Sequence, residues 1–309
     1  MRTQPPAASD FSAALVDGPW EHQMVAARAL RFHVASTGPA DGPLVILIHG
    51  VPQFWWSMRH QLQALGQAGY RAVAMDLRGC GASDKPPEGY ALPMLARDVA
   101  GVITALGADK AAVVGHGLGG MVAWTMLSQA PSVLLGIAPI AAVHPGTRKP
   151  IRALVVSPRA LAQIAALRMP KFTLSAARRG YLVGKLVTTW AEQPAWLDPY
   201  SLGLYQQVMA IPSAAERAAE LMRLALRPRW RAAGRRFAAS TRVRAQVPVL
   251  HIQGNMDHLL DYQAVAEPSF GGSDYHFACL DGIGHFPPEE APEQVNQALL
   301  DWLPAVASS

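Results

Sequence analysis

The chain has 309 residues, 50% of them hydrophobic, with a formal net charge of +5 and two cysteines. This is enough apolar material for a large core, which excludes intrinsic disorder, and too few cysteines for a disulfide framework or a thiolate metal cluster. The first twenty residues lack a charged start followed by an apolar block, and the longest apolar run, "VLLGIAPIAAV", is too short to cross a bilayer, so a cytoplasmic protein is expected.

In chain order, "WEHQMVAA" and "LRFHVAST" read as an antiparallel pair, followed by the turn-rich "TGPADGP". "LVILIHG" is a short continuous apolar run, the mark of a strand buried on both faces, and "MRHQLQALGQAG" after it is helix-like. The unit repeats as "RAVAMDL" into "MLARDVAGVITALG" and as "AAVVGHG" into "LGGMVAWTMLSQA", before "VLLGIAPIAAV". Alternating strands and helices specify a mostly parallel, doubly wound α/β sheet. From 145 to 244 the segments "PRALAQIAALRM", "AARRGYLVGKLVTTWAEQ" and "SAAERAAELMRLALRP" read as helices. Strands return in "VPVLHIQGN" and "YHFACLDGIG", before a last helix "EEAPEQVNQALLDWL". The expected organisation is a core domain in two parts, 1–144 and 245–309, with a helical cap, 145–244, inserted between them.

The cap segment carries 18 Lys and Arg against 4 Asp and Glu, whereas the rest of the chain carries 9 against 18. An Arg-rich solvated helical face accounts for this. A sharper reading is a weak contact between the basic cap and an anionic surface. Nucleic acid is not expected as a partner.

Ligands of open α/β sheets sit beyond the carboxyl ends of the strands, which directs attention to "IHGVP", "GHGLGG", "QGNMD" and "GIGHF". "HGVPQFWWSMRHQLQAL", "MDLRGCGASDKPP", "VVGHGLGGMVAW", the Asp of "LHIQGNMD" and the His of "GIGHFPPEEAPEQV" resemble, in order and spacing, the epoxide-hydrolase-like branch of the α/β-hydrolase family, across nearly the whole chain.

The resemblance implies that His285 is the catalytic base and Asp257 the carboxylate that orients it. It also implies an oxyanion hole from the backbone N–H groups of Val51 and Leu118, and a small or medium apolar epoxide or ester held under the cap. No cofactor and no metal are implied. Each residue also has a plainer role open to it: His285 as a loop histidine, Asp257 as a helix N-cap, "HGVP" as a tight turn. His49, Phe54, Trp55 and Tyr205 are candidates for contact with substrate, although an aromatic run such as Phe54-Trp55-Trp56 also packs cores. Asp76 and Arg78 read as structural. Cys80 and Ser83, after "RAVAMDL", are minor alternatives as nucleophile.

At the elbow itself the pattern departs. Relatives place Asp or Ser between the two small residues, and this chain has Gly117, so covalent attack from that position is excluded. The cap tyrosines Tyr181, Tyr200 and Tyr205 are candidates to protonate an opening epoxide, but Met222 stands where relatives often carry one, and no acid is assigned. Two readings follow from Gly117: water activated by the His285/Asp257 dyad, or a pocket that binds an apolar ligand without turnover, as in an inactivated or engineered variant. A third class is an oxidoreductase, because "GHGLGG" also satisfies the dinucleotide fingerprint. That fingerprint lies in the third crossover rather than the first, and no Asp or Glu occurs between Asp109 and Glu192 to hold a ribose. Arg148 or Lys149 could meet a 2′-phosphate, yet the other motifs would then have no explanation.

Overall fold

The computed structural model describes residues 11–147, 158–225, 232–266 and 268–307. Arg148 and Lys149 lie outside the described residues. Strands β1 (Glu21–Ala27) and β2 (Leu30–Thr37) form the leading hairpin, and β2 joins β4 (Arg71–Met75) antiparallel. From there β3 (Leu44–Ile48), β5 (Ala111–His116), β6 (Leu134–Ile140), β7 (Val249–Gly254) and β8 (Tyr275–Leu280) continue in parallel, in the order β1-β2-β4-β3-β5-β6-β7-β8. The chain therefore forms a mostly parallel, doubly wound sheet.

Alternation within the buried strands assigns the two faces. Leu44, Ile46 and Ile48 of β3 pack into one cluster with Leu95, Val99 and Val102 of α2 (Leu92–Ala105) and Val122 and Trp124 of α3 (Leu118–Gln129). Val45 and Leu47 pack into the other with Leu62 and Leu65 of α1 (Arg59–Gln67). Both faces are apolar because both are covered, which is why these strands read as continuous hydrophobic runs.

Between β6 and β7 the described residues contain helices and no strand: α4 (Pro158–Arg168), α5 (Pro170–Arg178), α6 (Tyr181–Trp190), α7 (Pro199–Ala210), α8 (Ala214–Ala225) and α9 (Ala232–Ser240). The segment expected as one helix, "AARRGYLVGKLVTTWAEQ", is broken where Gly180 takes a φ of +69°. Helix α7 was not anticipated. Its N-terminus is nevertheless signalled by Asp198, whose carboxylate accepts the N–H of Ser201, with Pro199 at the first helical position. Its inner face, with Leu204, Tyr205 and Val208, joins the cluster that holds Val45 and Leu47.

After β7 come the short α10 (Tyr262–Val265) and α11 (Pro268–Gly271). The last helix is divided into α12 (Pro287–Glu290) and α13 (Pro292–Ala307), whose Val295, Leu299 and Trp302 close the same face as α1. No described helix is long and apolar enough to cross a membrane.

Asp76 and Arg78 hold the loop after β4. Asp76 is fully buried and accepts from the N–H groups of Trp55 (2.9 Å) and Ala82 (3.0 Å) and from His33 Nδ1 (2.7 Å). Burial opposes its ionisation, but the hydrogen bond and charge of His33, with His49 and the Trp55 amide, outweigh this and hold its carboxyl below the usual range. Arg78 forms a two-pronged pair with the buried Asp98. Replacing Asp76 with Ala leaves several buried donors unmet, and a loss of about 3 kcal/mol or more in urea unfolding is expected. Asp84→Ala, which breaks an exposed pair with Arg31, should cost under about 1 kcal/mol.

Candidate active site

The carboxyl ends of β3, β5, β7 and β8 bring the expected residues to one edge of the sheet. β5 ends at His116, Gly117 follows with φ +52° and ψ −111°, and α3 begins at Leu118. The corner is bracketed by the Gly117 N–H donating to Ile140 O (2.9 Å) and by Gly117 O accepting from the Met121 N–H (3.0 Å).

The glycines of this corner are not equivalent. A Cβ on Gly115 would lie 2.3 Å from the Gly119 backbone, one on Gly119 2.5 Å from Ile48 O, and one on Gly120 2.5 Å from the Ala142 side chain. These three exist so that α3 can approach the strand ends. A Cβ on Gly117 would meet only Gly50 Cα, at 3.8 Å. The position is demanding in φ but open in space.

His285 follows β8, and its Nδ1 lies 2.8 Å from Asp257 Oδ2. A carboxylate can only accept, so Nδ1 carries the proton and Nε2 presents its lone pair on the opposite side of the ring. Asp257 is itself fixed by Gln253 Nε2 (2.8 Å) and by the N–H groups of Leu259 (2.7 Å) and Leu260 (2.9 Å). It thus combines the turn-capping role and the orienting role that the sequence left open; the N-cap of α10 is Asp261. His285 is only 6% exposed, with the Trp190 ring against it edge-on at 5.4 Å.

His116 connects the corner to His285. Its Nε2 lies 2.8 Å from the His285 carbonyl and its Nδ1 3.1 Å from Gln53 Oε1, and a neutral ring donates at one of these positions and not both. Burial, reinforced by the charge of His285, lowers the His116 pKa to about 3, which keeps the ring neutral. The N–H groups of Val51 and Leu118 donate to no acceptor among the described residues. Leu118 is the first residue of α3, where a helix leaves its amides free.

The remaining candidates divide. Phe54 is buried and packs edge-on against Tyr205 of α7 at 5.5 Å. Tyr205 is buried, with its hydroxyl 3.3 Å from Glu289 Oε1, and burial raises its pKa well above the usual value. His49 and Trp55, expected beside the substrate, are fully buried with their ring nitrogens engaged by backbone groups. His49 donates to Gly50 O (2.6 Å) and accepts from the Leu77 N–H (3.1 Å), so both ring nitrogens are engaged. Trp55 donates to Ala14 O (2.7 Å) and packs against Trp20 and Trp56.

Tyr181 and Tyr200 are exposed, and Met222 is buried. Cys80 is buried with its thiol pKa pushed up, and the Ser83 hydroxyl bridges Asp76 O and the His33 N–H. Neither is presented as a nucleophile. The sequence reading missed His116, Gln53 and Trp190. Only His116, adjacent to Gly117 in "GHGLGG", carried a local signal.

A family model described as alpha/beta hydrolase fold matches residues 43–290. The AB hydrolase superfamily protein YfhM of Bacillus subtilis (strain 168) is 30% identical over 287 residues, covering 91% of this chain and 97% of that protein. Epoxide hydrolase B of Mycobacterium tuberculosis (strain ATCC 25618 / H37Rv) is 43% identical over 129 residues, 40% of this chain but only 36% of that protein. The crystal structure of epoxide hydrolase VrEH1 from Vigna radiata superposes with a TM-score of 0.76 at 24% identity, covering 93% of this chain and 98% of that one, a likeness of fold.

Two outcomes are expected from this geometry. Gly117→Ser should fold with a thermal-denaturation penalty of about 1–3 kcal/mol from the positive φ, whereas Gly119→Ala should cost more because its Cβ meets backbone. An unfolded histidine titrates near 6.5 and His116 in place near 3, so stability is complete above pH 6.5 and falls as pH drops toward 3. Between pH 7.5 and 5.0 the urea-derived stability of His116→Gln should fall by about 2 kcal/mol less than that of the unaltered chain.

Proposed function

The chain belongs to the α/β-hydrolase fold family, and on that premise we propose that it is an epoxide-hydrolase-like enzyme. Its substrate is a small or medium apolar epoxide or ester, attacked by water that the His285/Asp257 dyad activates. The observation that carries this reading is the 2.8 Å contact between His285 Nδ1 and Asp257 Oδ2 at the same sheet edge as the unfilled corner at Gly117. The similarity to curated epoxide hydrolases supports the substrate class.

In this reading Gly117 occupies the place from which relatives attack, and the space its missing side chain leaves accommodates the water. His285 Nε2 takes a proton from that water as its oxygen bonds to the electrophilic carbon, and Asp257 stabilises the imidazolium that forms. With an ester, the oxygen that gains charge is held by the N–H groups of Val51 and Leu118 until the C–O bond to the alcohol breaks and His285 returns its proton to the leaving alkoxide. With an epoxide, the ring C–O bond breaks and the alkoxide takes up a proton; Tyr205 is the buried cap hydroxyl nearest in kind to that task, though it is already engaged by Glu289.

Loss of a covalent nucleophile costs on the order of 10⁶ in turnover in comparable hydrolases, while general-base assistance restores roughly 10²–10⁴. A slow enzyme is therefore expected. The alternative favoured by the absent Gly117 side chain is a binding pocket without turnover.

Two variants separate these readings in assays against apolar epoxides and esters. His285→Ala should lower kcat by about 10²–10⁴ if the dyad works as a base, and should leave ligand affinity nearly unchanged in a binding module. Gly117→Asp or Gly117→Ser should raise turnover well above that of the unaltered chain. Equal activity would place the chemistry elsewhere.

A further inference from the structure

We infer that Glu290 is a positioning residue whose single carboxylate grips the backbone on both sides of His285 and ties it to the end of α6. This deepens the proposal that His285 is the working base and rests on it. Glu290 Oε1 accepts the N–H of Phe286 at 2.8 Å, and Oε2 accepts the N–H of Gly284 at 3.1 Å. The residues immediately before and after His285 are thus held by one side chain. The same Oε2 accepts the N–H groups of Glu192 and Gln193, each at 2.9 Å, just beyond the end of α6. His285 completes the set by donating its own N–H to Trp190 O at 3.0 Å. All three amides from 284 to 286 therefore end on Glu290 or on α6.

The attachment reaches both halves of the dyad. Gln193 Nε2 donates to Gly282 O (3.2 Å) on the His285 side, and the Glu192 carboxylate lies 2.8 Å from Nε2 of His258, the residue after Asp257. Packing at the junction is tight: a Cβ on Gly284 would lie 2.3 Å from the Glu192 N and 2.8 Å from Glu290 Oε2. Nothing wider than glycine fits where the two backbones and the Glu290 carboxylate meet.

A charged acceptor makes shorter and stronger hydrogen bonds than a neutral one, and four donors from two distant segments converge on this one. The outcome is orientation: Asp257 sets which nitrogen of His285 is protonated, and Glu290 sets where the ring starts from. The neighbouring Glu289 turns the other way, to Arg59 and Tyr205, and its side chain reaches none of these four amides.

The test is amide exchange and histidine NMR on the full chain. In Glu290→Ala, the amides of Glu192, Gln193, Gly284 and Phe286 should exchange faster by roughly tenfold or more, as protection is lost locally. The imidazole resonances of His285 should shift while those of His251, buried on β7, stay in place. Glu290→Gln keeps one oxygen and should restore protection at Glu192, Gln193 and Gly284 while leaving Phe286 facing an NH2 group. Glu289→Gln should leave all four unchanged.

Unaltered exchange at these amides, an unmoved His285 signal in Glu290→Ala, or loss of protection spread evenly over the sheet would overturn the assignment. If Glu290→Ala does not fold, selective loss at Phe286 in Glu290→Gln decides it. None of these readouts uses turnover, so their failure is distinct from failure of the activity assays.

Discussion

The site depends on how closely one backbone can pass another at the end of β5. Helix α3 starts almost on top of the strand ends because Gly115, Gly119 and Gly120 carry no Cβ to prevent it. That approach aims the free first amide of α3 at the sheet edge and sets the positive φ of Gly117. The groups proposed to act are arranged around this corner: the Val51 amide from the β3 loop, Asp257 from the β7 loop and His285 from the β8 loop. A substitution that pushed α3 outward would disperse them without touching any of the polar groups concerned.

The corner also explains why a glycine at 117 is structurally comfortable. A residue with a side chain would have to hold a sparsely populated backbone conformation, at a cost of ~1–3 kcal/mol, whereas glycine adopts it freely. Stability and nucleophilic power pull in opposite directions at this one position. The polar groups around it are nevertheless assembled: Asp257 is held by four donors, and the Val51 and Leu118 amides have no acceptor among the described residues.

The sheet was legible in the sequence because strands buried on both faces leave an unbroken apolar signature, as in "LVILI" and "AAVV". That His285 and Asp257 meet was legible because both follow strands in a recognisable order. What escaped was set by contacts between distant residues. His116 meets the carbonyl of His285, 169 positions away, and Glu290 meets Glu192 across 98; no local pattern encodes either. His49, the first residue of "HGVP", and Trp55, three residues beyond it, were candidates for contact with substrate. Their polar atoms instead satisfy backbone groups of Gly50, Leu77 and Ala14, as buried donors and acceptors must. The helices between β6 and β7 were harder to delimit, since a break such as Gly180 depends on a φ value, which composition does not reveal.

The source of the oxygen in the first product tests the central claim most directly. With enzyme in excess over an aryl-substituted epoxide in oxygen-18 water, direct attack by dyad-activated water predicts a diol that carries one solvent-derived oxygen-18 from the first turnover onward and a protein without label. A first-turnover diol free of label, with oxygen-18 then appearing in a protein carboxylate, would mean that a covalent intermediate forms elsewhere in the site and would contradict the account.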